Sequence, residues 1–342
     1  MSEQAIIVIG ASAGGMETLK KLVAQLPSDF PGTVFIVWHM APEHPSMLPQ
    51  ILDRVCSLSV THAIDKEAIK PGQIYVAPPD HHIVVESGHM RVSHGPKENR
   101  FRPSVDVLFR SAALAYGHQV IGVVLTGFLD DGASGLYSVK EQGGKAIVQD
   151  PLDATYPSMP IHALKATKVD YCVPVAEMGS LLVSLTKNGM KAKEDKCVSE
   201  QLKIEVKVAR EDNAFNSGIM KLGQLSPYTC PECHGVLLQM QEGNLIRFRC
   251  HTGHAYSLNA LLVEVTESIE TSLWKTLRGI EESQLLMQHM AEHLEKNSEV
   301  EKLFKQKAEQ AKMQAELVRQ AVMSSETLSR EKLCKEAEDL AR

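Results

Sequence analysis

The front half of the chain alternates two hydrophobic patterns. Ala5–Ile9, Val34–Trp38, Val120–Leu125 and Ala146–Val148 are short, nearly unbroken apolar runs, as in strands covered on both faces. Gln73–Val76 and His82–Val85 add two more. Between the first two runs, Met16, Leu19, Leu22, Val23 and Leu26 recur at helical spacing. Strand and helix in alternation predict right-handed βαβ units and a doubly wound, mostly parallel sheet over residues 1–186. Residues 73–94, with Pro78-Pro79-Asp80 and Ser87-Gly88 as turns, predict a short antiparallel excursion.

The pattern changes after residue 186. Asn188-Gly189 is a turn pair and Lys191–Lys196 a charged run, so residues 187–224 are expected to form a linker with little core of its own. Residues 225–256 hold a compact Cys/His module, and residues 257–342 a helical, coiled-coil-like tail rich in Glu, Lys, Gln, Ala and Leu. In the tail, Ile269, Leu273, Leu277, Ile280, Met287, Met290 and Leu294 share one helical face. Lys296-Asn297-Ser298 predicts a break with Ser298 as the next N-cap. A second helix should then run to about Met323, and a third should start near Ser324-Ser325. Such helices bury their stripe against each other, a second copy of the chain or a signalling partner.

Composition removes several classes of function. Apolar residues at 44% and charged residues at 23% exclude a wholly disordered chain. Lys plus Arg number 36 against 42 Asp plus Glu, a net charge of -6 that argues against a dedicated nucleic-acid binder. No apolar run approaches the ~20 residues that span a bilayer, and the N-terminus lacks the basic lead of a signal peptide. Seven cysteines at uneven spacing point to reduced thiols and a cytoplasmic setting rather than a disulfide scaffold.

Three segments carry candidate chemistry. Gly10-Ala11-Ser12-Ala13-Gly14-Gly15 joins an apolar run to a helical pattern. Gly-x-Ser-x-Gly at such a junction holds a serine hydroxyl clear of the sheet and leaves helix N-terminal amides unpaired nearby. A phosphate-binding loop or a plain tight turn is the alternative. His39 follows the second run, at the same sheet edge as Ser12, and is a candidate base. Asp130-Asp131, after the Val120–Leu125 run, offers an orienting carboxylate. Paired carboxylates are equally at home in a simple turn or a magnesium site. Further on, Cys230-x-x-Cys233 and Cys250-His251-Thr252-Gly253-His254 flank sixteen residues centred on a Glu242-Gly243-Asn244 turn. That spacing predicts a structural zinc site, with His254 or His251 as the fourth ligand. Arg247, Phe248 and Arg249 beside it raise a nucleic-acid reading, which the acidic helices oppose.

Taken together, these segments resemble the catalytic domain of the chemotaxis protein-glutamate methylesterase (CheB) family. The likeness rests on the Ser12 loop, Trp38-His39-Met40, Pro71-Gly72, Tyr75-Val76-Ala77-Pro78 with His82, Pro103-Ser104-Val105-Asp106, Leu125-Thr126-Gly127 and Asp131-Gly132-Ala133. It implies a doubly wound α/β fold and a serine hydrolase that demethylates glutamate γ-methyl esters on methyl-accepting receptors and deamidates glutamine at the same sites. It implies Ser12 as nucleophile, His39 as base, Asp131 as orienter, backbone N–H of Ala13 and Phe128 as oxyanion donors, an open cleft, and no cofactor in catalysis. Zinc ribbons trailing such domains favour His254. The family's Thr-Gly-Met-Gly-x-Asp-Gly loop reads Phe128 and Leu129 here, and its Gly-Met-Pro reads Ser158-Met159-Pro160. Losing the second glycine is expected to turn the loop away from positive φ. The family's usual N-terminal receiver domain has no counterpart before the first strand, so constitutive activity or control through the C-terminal region is expected. Competing readings are a receptor-binding adaptor that docks through the zinc module and helices, and a small-molecule serine esterase.

Overall fold

The computed structural model describes residues 4–40, 42, 45–187, 198–210 and 216–324. Its first elements are β1 (Ile6–Ala11), α1 (Gly15–Val23), β2 (Thr33–Trp38), α2 (Leu48–Asp53), β3 (Ser59–His62), β4 (Gln73–Val76), β5 (His82–Glu86) and β6 (His89–Ser93). Next come α3 (Val105–Tyr116), β7 (Val120–Val124), α4 (Ala133–Glu141), β8 (Lys145–Gln149), α5 (Ser158–Ala166), β9 (Tyr171–Val173) and α6 (Val175–Lys187). Seven strands pair in parallel in the order β3-β4-β2-β1-β7-β8-β9.

The unbroken apolar runs follow from this layering. Alternate residues of each strand enter different cores. Ile6 and Val8 pack with α3, α4 and α5, whereas Ile7 and Ile9 pack with α1, α2 and α6. One expectation is corrected. Gln73–Val76 belongs to the parallel sheet, paired with β2 and β3, and only β5 and β6 form the antiparallel hairpin.

The expected linker is corrected too. Its described part contains α7 (Glu200–Arg210), which buries Leu202, Glu205, Val208 and Ala209. Ala209 packs with Val84 of the hairpin and Val107 of α3. A four-stranded antiparallel sheet follows: β10 (Gln224–Thr229), β11 (Val236–Glu242), β12 (Leu245–Cys250) and β13 (Ala255–Ser257). The Glu242-Gly243-Asn244 turn joins β11 to β12 as expected, with Gly243 at φ 56°. Leu237, Phe248 and Tyr256 form its small core with Cys230 and Cys250.

The chain then enters α8 (Leu258–Glu292) and, after a break, α9 (Glu299–Ser324). Ser298 Oγ accepts the Glu301 N–H at 3.1 Å, the predicted N-cap. The described residues from Leu262 to Ser324 belong to a second compact unit. Its described residues bury Leu277, Ala291, Ala308, Ala311 and Ala315, while Ile269 and Met290 of the predicted stripe stay exposed. The third helix expected near Ser325 lies outside the described residues.

Candidate active site and metal cluster

Strand order brings the three candidate segments together. β2, β1 and β7 are neighbours, and Ser12, His39 and the Thr126–Asp131 loop follow their carboxyl ends. The direction of winding changes at β1, so a crevice opens there, where α/β sheets bind ligands. Ala11 pairs with Trp38, which puts Ser12 and His39 at matching steps. The His39 N–H donates to the Ala11 carbonyl at 3.1 Å, and the Ser12 N–H to the Thr126 carbonyl at 3.0 Å. The Trp38 indole pins the turn by donating to the Ser12 carbonyl at 2.8 Å. Gly14 sits at φ 72°, a left-handed step that a side chain would strain. At Gly127 a Cβ would lie 2.7 Å from Ser12 Cβ, so only glycine lets this loop close over the serine.

His39 is buried, and its Nε2 lies 2.8 Å from Asp131 Oδ2. Its ring stacks on Phe101 with centroids 3.6 Å apart. Asp131 is held from several sides. Oδ1 accepts from Asn99 Nδ2 (2.9 Å), Ser104 Oγ (2.9 Å) and the Asp106 N–H (3.2 Å), and Oδ2 accepts from the Val105 N–H (2.7 Å). Two of these donors are the first amides of α3, whose positive dipole end favours a carboxylate. Burial alone would neutralise the acid. The His39 hydrogen bond and charge, then Asn99 and Val105, outweigh it and bring Asp131 down to about 2.

An ionised Asp131 only accepts, so His39 Nε2 carries a proton, and in the neutral ring Nδ1 keeps its lone pair. Nδ1 is buried without a hydrogen-bond partner. No hydrogen bond joins Ser12 Oγ to it. The His39–Asp131 hydrogen bond is therefore formed, and none joins His39 to Ser12. The amides of Ala13 and Phe128 likewise have no acceptor among the described residues, whereas Gly15 and Gly127 donate to Ser12 and Tyr156 carbonyls.

Asp106 lies beside Asp131 and accepts the N–H groups of Gly132 (3.0 Å) and Gly135 (2.6 Å). Burial and the Asp131 charge push its carboxyl up to about 7. Sequence reasoning gave no role to Asn99, Phe101, Ser104 or Asp106. Pro103-Ser104-Val105-Asp106 counted only toward the family likeness; in the structure it leads into α3, whose first amides cradle Asp131. Asp130 takes other partners, bonded to Ser257 Oγ (2.6 Å) and Asn259 Nδ2 (3.0 Å).

The loop departures resolve in one contact. Leu129 adopts φ 60°, so the loop keeps the positive φ that leucine was expected to abolish. A non-glycine residue there costs roughly 1–2 kcal/mol. Leu129 is buried, and its carbonyl accepts from Ser158 Oγ at 3.0 Å. The two residues that replace family glycines thus hold each other.

In the small sheet, the ligand atoms of Cys230, Cys233, Cys250 and His254 all lie within 4.8 Å of one another. His251 stays outside the group, its ring against Gly235. Cys233 Sγ is 3.6 Å from Cys250 Sγ, and His254 Nδ1 is 3.6 Å from Cys250 Sγ and 3.7 Å from Cys230 Sγ. These separations match the ~3.8 Å edge of a tetrahedral metal–thiolate site. His254 Nε2 meets Glu232 Oε2 at 3.3 Å, an outer carboxylate that fixes the ring. Arg247 and Arg249 are almost wholly buried and pair with Glu98, Glu205 and Glu242, so neither is presented to a phosphate backbone.

Comparisons with known proteins converge on the sheet. The family model described as CheB methylesterase matches residues 7–182. A Leptospira interrogans protein named "Putative protein-glutamate methylesterase/protein-glutamine glutaminase" is 41% identical over 185 residues, covering 54% of this chain and 96% of that one. An Anaeromyxobacter dehalogenans protein-glutamate methylesterase/protein-glutamine glutaminase is 40% identical over 184 residues, 53% of this chain and 51% of that one. The chain thus spans about half the length of this second relative. The crystal structure of the Thermotoga maritima CheB methylesterase catalytic domain superposes with a TM-score of 0.51 at 34% identity, covering 53% of this chain and 98% of that one.

Proposed function

We propose that this chain, which belongs to the CheB methylesterase family, hydrolyses glutamate γ-methyl esters on methyl-accepting chemotaxis receptors, releasing methanol. One observation carries the mechanism. His39 is buried, tied through Nε2 to Asp131, and leaves Nδ1 without a partner at the step that matches Ser12.

Ser12 Oγ attacks the ester carbonyl while His39 Nδ1 takes its proton. The Ala13 and Phe128 amides receive the oxyanion, each worth roughly 10²–10³ in rate. His39 then protonates the departing methoxide. Water, deprotonated by the same nitrogen, attacks the acyl-enzyme, and collapse frees glutamate and returns the proton to Ser12. Asp131 stays ionised throughout and holds the imidazole's tautomer and angle. Glutamine deamidation follows the same path more slowly, because an amide nitrogen leaves less readily than methoxide. No cofactor takes part. The substrates are methylated glutamates on exposed receptor helices, reached from the cytoplasm. None of the described helices is long and apolar enough to cross a membrane.

The Cys230, Cys233, Cys250 and His254 cluster fits Zn²⁺, which would clamp the two knuckles of the small sheet. Three thiolates and one imidazole fill a tetrahedral shell, which makes the role structural.

The test is methanol release from methylated receptor by the full chain and by Ser12→Ala. Wild type should release methanol, and the variant should lose activity by up to about 10⁶-fold. Equal release from both would overturn the serine mechanism.

A further inference from the structure

Asn99 is the point where the small sheet meets Asp131. It is buried, with φ 49°, a left-handed position that asparagine tolerates. Its Nδ2 donates to Asp131 Oδ1 and to Asp106 Oδ2, both at 2.9 Å. Its Oδ1 accepts the Ser257 N–H at 2.8 Å, and its own N–H donates to the Ala255 carbonyl at 2.8 Å. Both donors and the acceptor of one side-chain amide are thus committed, the acceptor to β13 and the donors to the carboxylates. β13 begins one residue after His254. The loop before it is tied down at the Cys/His cluster. The Cys250 N–H donates to the His254 carbonyl at 3.0 Å, and Arg249 Nη1 to the Gly253 carbonyl at 2.8 Å.

We propose that Asn99 is a positioning residue for the hydrolysis, and that metal in the Cys/His cluster sets its position through β13. The proposal rests on the esterase reading above. β13 is only three residues long; it pairs with β12 throughout, and the loop that the cluster closes leads directly into it. If that loop relaxes, the acceptor side of the Asn99 amide is released and the amide can turn. Asp131 then keeps Ser104 and the α3 amides but loses the donor that fixes its roll. His39, hinged on the same carboxylate, loses its aim at Ser12. Misaim of this kind lowers kcat and leaves KM alone, because it acts on the reacting groups rather than on ground-state binding.

The experiment uses the full chain, zinc-loaded and stripped with 1,10-phenanthroline, as wild type, Asn99→Gly and Asn99→Asp. Glycine keeps the left-handed backbone without the amide. Aspartate keeps the acceptor for Ser257 and loses the donors, so it serves if the glycine variant folds poorly. Two quantities are read: the downfield proton resonance of His39 Nε2–H, assigned by its absence in His39→Gln, and kcat with KM on the methyl ester. Stripping zinc from wild type should shift or broaden the resonance and lower kcat about 10–100-fold at constant KM. The variants should show the same changes with zinc bound, and stripping them should add less than about threefold, as expected for perturbations of one linkage. An unchanged resonance and kcat on stripping wild type, or losses that multiply, would overturn the proposal. The resonance needs no substrate, so it decides the coupling even if Ser12→Ala proves fully active and the esterase reading fails.

Discussion

Helix α3 serves two buried polar clusters that are built on opposite principles. Its N-terminal amides hold Asp131, and one turn on, Arg110 enters a group with Glu98, Glu205, Arg247 and Arg249. That second group docks α7 and the small sheet onto the catalytic fold, and every member is essentially buried. There, opposite charges meet. Burial opposes ionisation, but Arg110 and Arg249 hold Glu98 below the usual carboxylate range, and Arg247, Arg249 and Arg110 hold Glu205 far below it. In the Asp131 cluster, like charges meet. Two carboxylates side by side are driven apart, to about 2 and about 7. A cluster that serves only stability neutralises its charges. One that holds a like-charge pair apart is the arrangement acid–base chemistry calls for.

The comparison predicts different consequences when each cluster is cut. Asp131→Asn should leave the fold intact and cut turnover by about 10⁴-fold, because an amide facing His39 Nε2 favours the tautomer with the proton on Nδ1. Steady-state kinetics beside a thermal melt separates the two effects. Glu205→Gln should do the reverse. It leaves buried guanidinium groups short of a counter-charge and should cost about 3–5 kcal/mol in a denaturant melt. Acid should act on the dock in the same direction. The Glu98 and Glu205 pKa values are depressed on folding, so the stability they supply is present above about 4.5 and is lost as pH falls from there. Melting temperature followed from pH 7 to pH 3 should drop steeply below that value in wild type and less steeply in Glu205→Gln. The smallest effect is expected at the loop. Ser158→Ala removes the hydroxyl on the Leu129 carbonyl and should cost about 1 kcal/mol, with turnover within about threefold of wild type.

The same contrast explains what the sequence made readable. Ser12, His39 and Asp131 each follow an apolar run, and each sits among residues required by backbone geometry, such as Gly14 and Gly127. The register of β2, β1 and β7 did the rest. The dock left no such trace, because its charges come from positions as far apart as Glu98 and Arg249 and become partners only on folding. Its helix was also disguised. Leu202, Ile204, Val206 and Val208 alternate with polar residues at a strand's period, yet the buried helical face includes Glu205. Asn99 was invisible for a related reason, since its value lies in joining β13 to Asp131. The positive φ at Leu129 ran against propensity, and the serine that meets its carbonyl is 29 residues away.

The central claim is that Ser12, His39 and Asp131 act as one relay at the carboxyl edge of the sheet. It is tested most directly by treating the full chain with a fluorophosphonate and mapping the adduct by mass spectrometry. The account predicts a single adduct on Ser12, formed much more slowly in His39→Gln and Asp131→Asn. Methanol release that continues while Ser12 stays unlabelled would contradict it.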